Sequence, residues 1–165
     1  DGLEQRPISE SDQCDDAPVD GDGDLLRVNA VLETQGRRFG DRAYLELMHL
    51  RMPDRLQYAL HVDEEALPLR CPPMTLLTLV ENAVRHGIDP SEDGGRIDIE
   101  VRRNGTRCVL RVRDTGVGLR PDGNGLGTGL ATLRERLQLI FGRDAQLRVT
   151  AQDNGGVCAE VEIPA

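Results

Sequence analysis

RIDIEVRRNGTRCVLRVRDTGVG, residues 96–118, alternates apolar and polar side chains on both sides of Asn104-Gly105. Ile97, Ile99 and Val101 in the first arm, and Cys108, Leu110 and Val112 in the second, stand two residues apart and share one face of a pleated ribbon. Asn-Gly is the preferred centre of a type I′ turn, whose twist suits two antiparallel strands. The stretch therefore predicts a hairpin of strands 96–101 and 106–114, with one face turned to a core.

Working outward, the flanks supply helices to cover that face. Upstream, Leu76, Leu79, Val80, Ala83 and Val84 follow the Pro72-Pro73 pair at helical spacing, and Gly87 is the expected stop. The opposite stripe of that helix is polar: Thr78, Glu81, Asn82 and Arg85. Further upstream, DRAYLELMHLR (41–51) reads as a short amphipathic helix ended by Pro53, and LQYALHV (56–62) as a strand. Downstream, six glycines fall between Gly116 and Gly129, and Leu130, Leu133, Leu137, Ile140 and Phe141 then recur at helical spacing. AQLRVTAQ (145–152), the turn Asp153-Asn154-Gly155-Gly156 and VCAEVEI (157–163) form a second hairpin. The order predicts an α+β fold, a two-layer sandwich with helices on one face of a mixed, mostly antiparallel sheet.

Composition narrows the chemistry. The 165 residues carry 29 acidic and 20 basic side chains, a net charge of -9, and the basic residues are all arginine. Without lysine, a P-loop and a lysine nucleophile are both excluded. Residues 1–24 hold nine acidic groups against Arg6 alone, whereas the other 141 residues carry 20 acidic and 19 basic groups. The acidity thus belongs to 1–24, expected to be a disordered linker or appended tail that buries too little to offset its ordering entropy. Residues 25–165 are the expected folded domain. Its near-neutral charge argues against nucleic acid as a partner, and no apolar run approaches the roughly 20 residues of a membrane helix. Cys14, Cys71, Cys108 and Cys158 lie too far apart for a zinc motif or a disulfide framework, which suits a reducing, cytoplasmic setting.

Three features converge on one chemistry. Glycines let backbone N–H groups approach an anion without a Cβ in the way, and the helix they open points its positive dipole end at the same place. This makes a phosphate site without lysine. An amide oxygen such as that of Asn82 is a hard ligand suited to magnesium, which otherwise keeps phosphate oxygens and water. Asp114, as a carboxylate, only accepts hydrogen bonds, so it selects the exocyclic amine of adenine and repels the O6 of guanine. Together they point to Mg-ATP.

LVENAVRHG (79–87), DTGVG (114–118) and GLGTGLATLRERL (125–137) resemble the N, G1 and G2 boxes of the GHKL ATPase superfamily. With YLELMHLRMPDRLQ and PPMTLL upstream, and a very short lid between Gly118 and Gly125, the chain is most similar to the catalytic domain of LytS-type sensor histidine kinases. The resemblance implies a Bergerat-type ATP-binding fold. It implies Asn82 as magnesium ligand, Arg85 near the terminal phosphate, and Asp114 as the adenine acceptor in a pocket shaped by Gly116 and Gly118. Gly125, Gly127, Gly129 and the helix opening at Leu130 would wrap the phosphates. His86 would either lie beside them or serve as a packing histidine.

Two departures bear on activity. One helical turn before Asn82 stands Thr78, where relatives carry Asn or Glu, and a threonine has no useful general-base pKa. Glu81 either polarises the incoming nucleophile or solvates its face. A histidine followed closely by Phe-Asn on a dimerising helix is absent from this chain, so the acceptor is expected in the receptor's own dimerisation segment, with a response regulator downstream. The implied function is a protein histidine kinase domain, incomplete alone, in the cytoplasmic part of a membrane-anchored sensor. The alternatives are a nucleotide-binding regulator without transfer and an anti-sigma-type serine kinase.

Overall fold

The computed structural model describes residues 26–28, 41–119 and 127–165. Residues 1–24, and with them the expected acidic tail, lie outside the described residues, as does most of the expected lid. The strands are β1 (Leu26–Arg27), β2 (Leu56–Val62), β3 (Arg70–Cys71), β4 (Gly95–Asn104), β5 (Arg107–Asp114), β6 (Gln146–Ala151) and β7 (Val157–Pro164). The helices are α1 (Asp41–Arg51), α2 (Thr75–Asn82), prolonged by a π-helical turn over Ala83–Ile88, and α3 (Thr128–Phe141).

Five strands make the main sheet in the order β2-β4-β5-β7-β6, and β1 pairs separately with β3. Only β2 and β4 run parallel; the remaining pairs are antiparallel, so the sheet is mixed as expected. The inner face carries Ile97, Ile99, Val101, Cys108, Leu110, Val112, Ala159, Val161 and Ile163, all buried against Leu76, Leu79, Val80 and Val84 of the α2 segment and Leu130, Leu133 and Leu137 of α3. Each Val, Leu or Ile among them contributes roughly 1.5–3 kcal/mol by leaving water. Burial also raises the Cys108 thiol to about 11, which keeps it unreactive at neutral pH. No disulfide joins Cys71, Cys108 or Cys158.

The other face is polar, and charges of opposite sign stand opposite one another across it. Arg111 bridges Glu100 at 3.0 Å and Glu160 at 2.6 Å, and Arg148 reaches Glu160 at 3.7 Å. Two-faced alternation along β4 and β5 was the sequence signal for this arrangement, and cross-strand pairs of this kind contribute about 0.2–1 kcal/mol each.

Two expectations need correction. The first hairpin turns on Gly105-Thr106, because β4 continues through Asn104, which pairs with Arg107. Gly105 has φ +60 and Thr106 does not share the positive φ, which is the type II′ pattern and not I′. Gly87 is also not the helix stop: the chain stays wound to Ile88, with the Asp89 N–H reaching the Val84 carbonyl at 2.8 Å, five residues back.

Candidate functional site

The N-terminal ends of β2 and β4, the C-terminal end of β5 and the π-helical turn meet at one edge of the sandwich. Asp114, the last residue of β5, is 3% exposed there, and its Oδ1 accepts the Gly116 N–H at 2.9 Å. It is one of two buried polar or charged side chains among the described residues, the other being Thr75, so its place in the core needs a reason.

The reason is visible in the glycines around it. A Cβ on Gly87 would stand 2.6 Å from Asp114 Oδ1, one on Gly116 would stand 2.5 Å from Gly87 Cα, and one on Gly156 would stand 2.7 Å from the Asp114 carbonyl carbon. Gly87 thus closes on the carboxylate itself, Gly116 on the Gly87 backbone and Gly156 on the Asp114 main chain. Val117 N–H donates to the Gly87 carbonyl at 3.1 Å, joining the 114–118 loop to the helix. Gly118 adopts φ +83, a conformation glycine takes without the strain other residues meet.

Burial holds the Asp114 carboxyl above its ordinary value of 3.8, against N–H donation from Gly116 and Val157, which lowers it. The folded protein therefore keeps this proton to higher pH than the unfolded chain does. Ionising Asp114 subtracts from stability above the folded value, and that cost is relieved as pH falls through it.

Facing this corner is the start of α3. Gly127 caps it without any side-chain bond, so the first-turn N–H groups have no intrahelical partner. The position of a Gly127 Cβ lies 3.5 Å from His86 Nε2, and that of a Gly129 Cβ lies 3.7 Å from Thr78 Cγ2. The polar stripe of α2 thus looks at an uncapped helix N-terminus, with Arg85 and His86 exposed and Glu81 and Asn82 half-buried. Leu130, in the first turn of α3, is buried in the core. Gly125 lies outside the described residues. The Thr78 hydroxyl donates to the Met74 carbonyl at 2.7 Å, which spends its proton on the helix start. That start is strained: Met74 sits at φ 69.

Sequence reasoning missed three residues here. Gly87 was read as a stop, Gly156 as part of a turn, and Tyr44 only as an apolar position of the amphipathic 41–51 helix. Burial and the neighbouring Glu81 carboxylate raise the Tyr44 hydroxyl, with Arg85 opposing, so α1 borders the polar stripe of α2. For the glycines the sequence held no separate signal, because a stop and a turn already accounted for them.

The model of the histidine kinase-, DNA gyrase B-, and HSP90-like ATPase family matches residues 73–165. The chain is 30% identical over 130 residues to the sensor protein LytS of Oceanobacillus iheyensis, covering 70% of this chain and 22% of that protein. It is 30% identical over 122 residues to the sensor histidine kinase BtsS of Escherichia coli, covering 74% of this chain and again 22% of the relative. The chain thus spans about a fifth of the length of these curated relatives. Among solved structures, the nucleotide-free catalytic domain of histidine kinase ThkA superposes with a TM-score of 0.62 at 16% identity, over 85% of this chain and 94% of that one. The histidine kinase domain of the Erythrobacter litoralis EL346 blue-light activated kinase gives 0.56 at 21%, over 74% and 61%. The family match takes in α2, the Asp114 loop and α3 in one piece and more than half of the chain, so the chain belongs to this ATPase family.

Proposed function

We propose that the chain binds Mg-ATP and is the catalytic domain of a two-component sensor histidine kinase, passing the γ-phosphoryl to a histidine outside this chain. The observation that carries the reading is the buried Asp114 carboxylate, faced by the bare Cα of Gly87, with Gly116 and Gly156 packed close on the neighbouring backbone, and placed across from the uncapped start of α3. Asp114 accepts the adenine amine, with Gly116 and Gly118 shaping the pocket. The N–H groups at Gly127, Gly129 and Leu130 take the phosphates, joined by Gly125 and by His86. Asn82 would offer one hard oxygen to a magnesium ion brought with the nucleotide. Bound there, the metal neutralises phosphate charge.

Arg85 and Glu81 are assigned to the transfer step. Arg85 draws charge from the terminal phosphate, and Glu81, about 100° round the helix from Asn82, faces the incoming imidazole. The bond between the γ-phosphorus and the bridging oxygen breaks, a phosphorus–nitrogen bond forms, and ADP leaves. Because the Thr78 hydroxyl is committed to Met74, water has no base at that position, which supports transfer over hydrolysis. Residues 25–165 form the ATP-binding unit, with 1–24 as a linker, on the cytoplasmic side of a membrane-anchored receptor whose partner is a response regulator. No helix among the described residues is long and apolar enough to cross a membrane.

Incubation with Mg-ATP and the full-length, catalytically dead parent is expected to yield acid-labile phosphohistidine on the parent. ATP binding without any transfer would instead indicate a regulatory module, and an acid-stable product a serine kinase. A second expectation concerns pH. Adenine needs the ionised carboxylate, so ATP affinity should fall on acidification at a pH above the ordinary Asp range, following the raised Asp114 value. Calorimetric titrations across the acid range should show that step in the wild type and not in Asp114→Asn.

A further inference from the structure

Arg55 stands at the foot of β2, and its side chain reaches the far end of the nucleotide helix. Its Nη2 donates to the carbonyls of Ile88 at 3.4 Å, Asp89 at 3.2 Å and Ser91 at 2.5 Å. Ile88 and Asp89 close the helix, where a cation complements the helix dipole, and Ser91 lies in the turn beyond it; the Ile88 and Ser91 carbonyls also accept the N–H groups of Ser91 at 3.0 Å and Gly94 at 3.1 Å, so Arg55 ties the helix end to that turn. Its Nε is buried with no hydrogen-bond partner, a cost accepted to hold the guanidinium in this place.

The Arg55 backbone is equally fixed. Its carbonyl accepts the Gly95 N–H at 2.7 Å, and a Cβ on Gly94, itself at φ +72, would stand 2.6 Å from Arg55 Cα. From this knot two short paths lead to Asp114. Along the chain, Ile88 follows Gly87, whose bare Cα faces the Asp114 carboxylate. Across the sheet, Gly95 lies against Ile88 Cδ1 and Thr115 Oγ1, each 2.8 Å from where its Cβ would be, and Thr115 Oγ1 accepts the Arg96 N–H at 2.9 Å.

We propose that Arg55 is a positioning residue for adenine recognition: by gathering three carbonyls at the end of the π-helical turn, it sets the Gly87 backbone against which Asp114 is aimed. This rests on the reading of Asp114 as the adenine acceptor. Arg55 touches no nucleotide; it acts through the 87–95 segment.

The test is calorimetric titration of the 165-residue chain with the magnesium complexes of ATP and of inosine triphosphate, which offers an acceptor where adenine offers an amine. Arg55→Met is expected to weaken ATP about tenfold, as loss of charge-assisted bonds does. Inosine triphosphate, held by its phosphates, should bind as in the wild type, so the ratio collapses. In an Asp114→Asn background the same change should leave the ratio unaltered. Arg55→Lys, which keeps one cation, should fall between; if Arg55→Met does not fold, Arg55→Lys decides. A lower melting temperature with the wild-type ratio, or equal weakening of both nucleotides, would overturn the proposal. If Asp114→Asn itself retains the discrimination, the adenine reading fails first, which separates the two failures.

Discussion

Asp114→Asn is expected to lower ATP affinity about a hundredfold while the fold persists, if Asp114 is the proposed adenine acceptor. The wild-type carboxylate satisfies the N–H groups of Gly116 and Val157 and still has acceptor capacity for the adenine amine. An amide keeps one acceptor oxygen and turns two donors on this ring of donors, so either a backbone N–H or the adenine amine faces an NH2. Leaving a buried donor unmatched costs about 1–3 kcal/mol, and each 1.4 kcal/mol is tenfold in affinity. Stability moves the other way, because the variant no longer ionises a buried carboxyl. Calorimetry and urea unfolding separate the two effects. Unchanged ATP affinity in Asp114→Asn would remove Asp114 from the site.

Gly156→Ala is expected to destabilise the domain by about 3 kcal/mol, the upper end of overpacking costs. Its Cβ would overlap the Asp114 carbonyl oxygen and stand 3.0 Å from Thr115 Cα. Both neighbours are backbone of the β5 end, so no side-chain rotation can relieve the contact. Either β7 moves away from β5 or the 114–118 loop shifts, and the second response would also disturb the proposed adenine pocket. Gly105 supplies the control. It holds φ +60, but a Cβ there meets nothing within 4 Å, so Gly105→Ala should cost only about 1 kcal/mol of backbone strain. Equal urea midpoints for the two variants would show that the close approach at Gly156 is not real.

Most of the fold was legible because its signals are local. The period-2 runs of β4 and β5 predicted both strands and their buried face, and the 3-4 spacing of Leu76 to Val84 predicted the helix that covers it. The β1 and β3 pairing was not legible, since two residues such as Leu26–Arg27 have no period to read. The parallel register of β2 on β4, Leu56 with Gly95, joins segments about forty residues apart, and nothing in either segment states the partner. The I′ turn expected at Asn104-Gly105 failed for a related reason: the pairing of β4 with β5 extended by a residue and carried Asn104 into the ladder.

By itself, the sequence determined the two-layer α+β class, the three motif stretches and the residue types they present: a carboxylate, an amide oxygen and glycine-lined N–H groups. Those follow from side-chain chemistry and short-range periodicity. Only the tertiary structure decided that Gly87, Gly116 and Gly156 converge on Asp114, that the helix passes through Gly87 as a π-helical turn, and that Arg55 holds its end. Close approach of backbones is a property of how distant segments pack, and a glycine looks the same in the sequence whether it makes a turn or makes room.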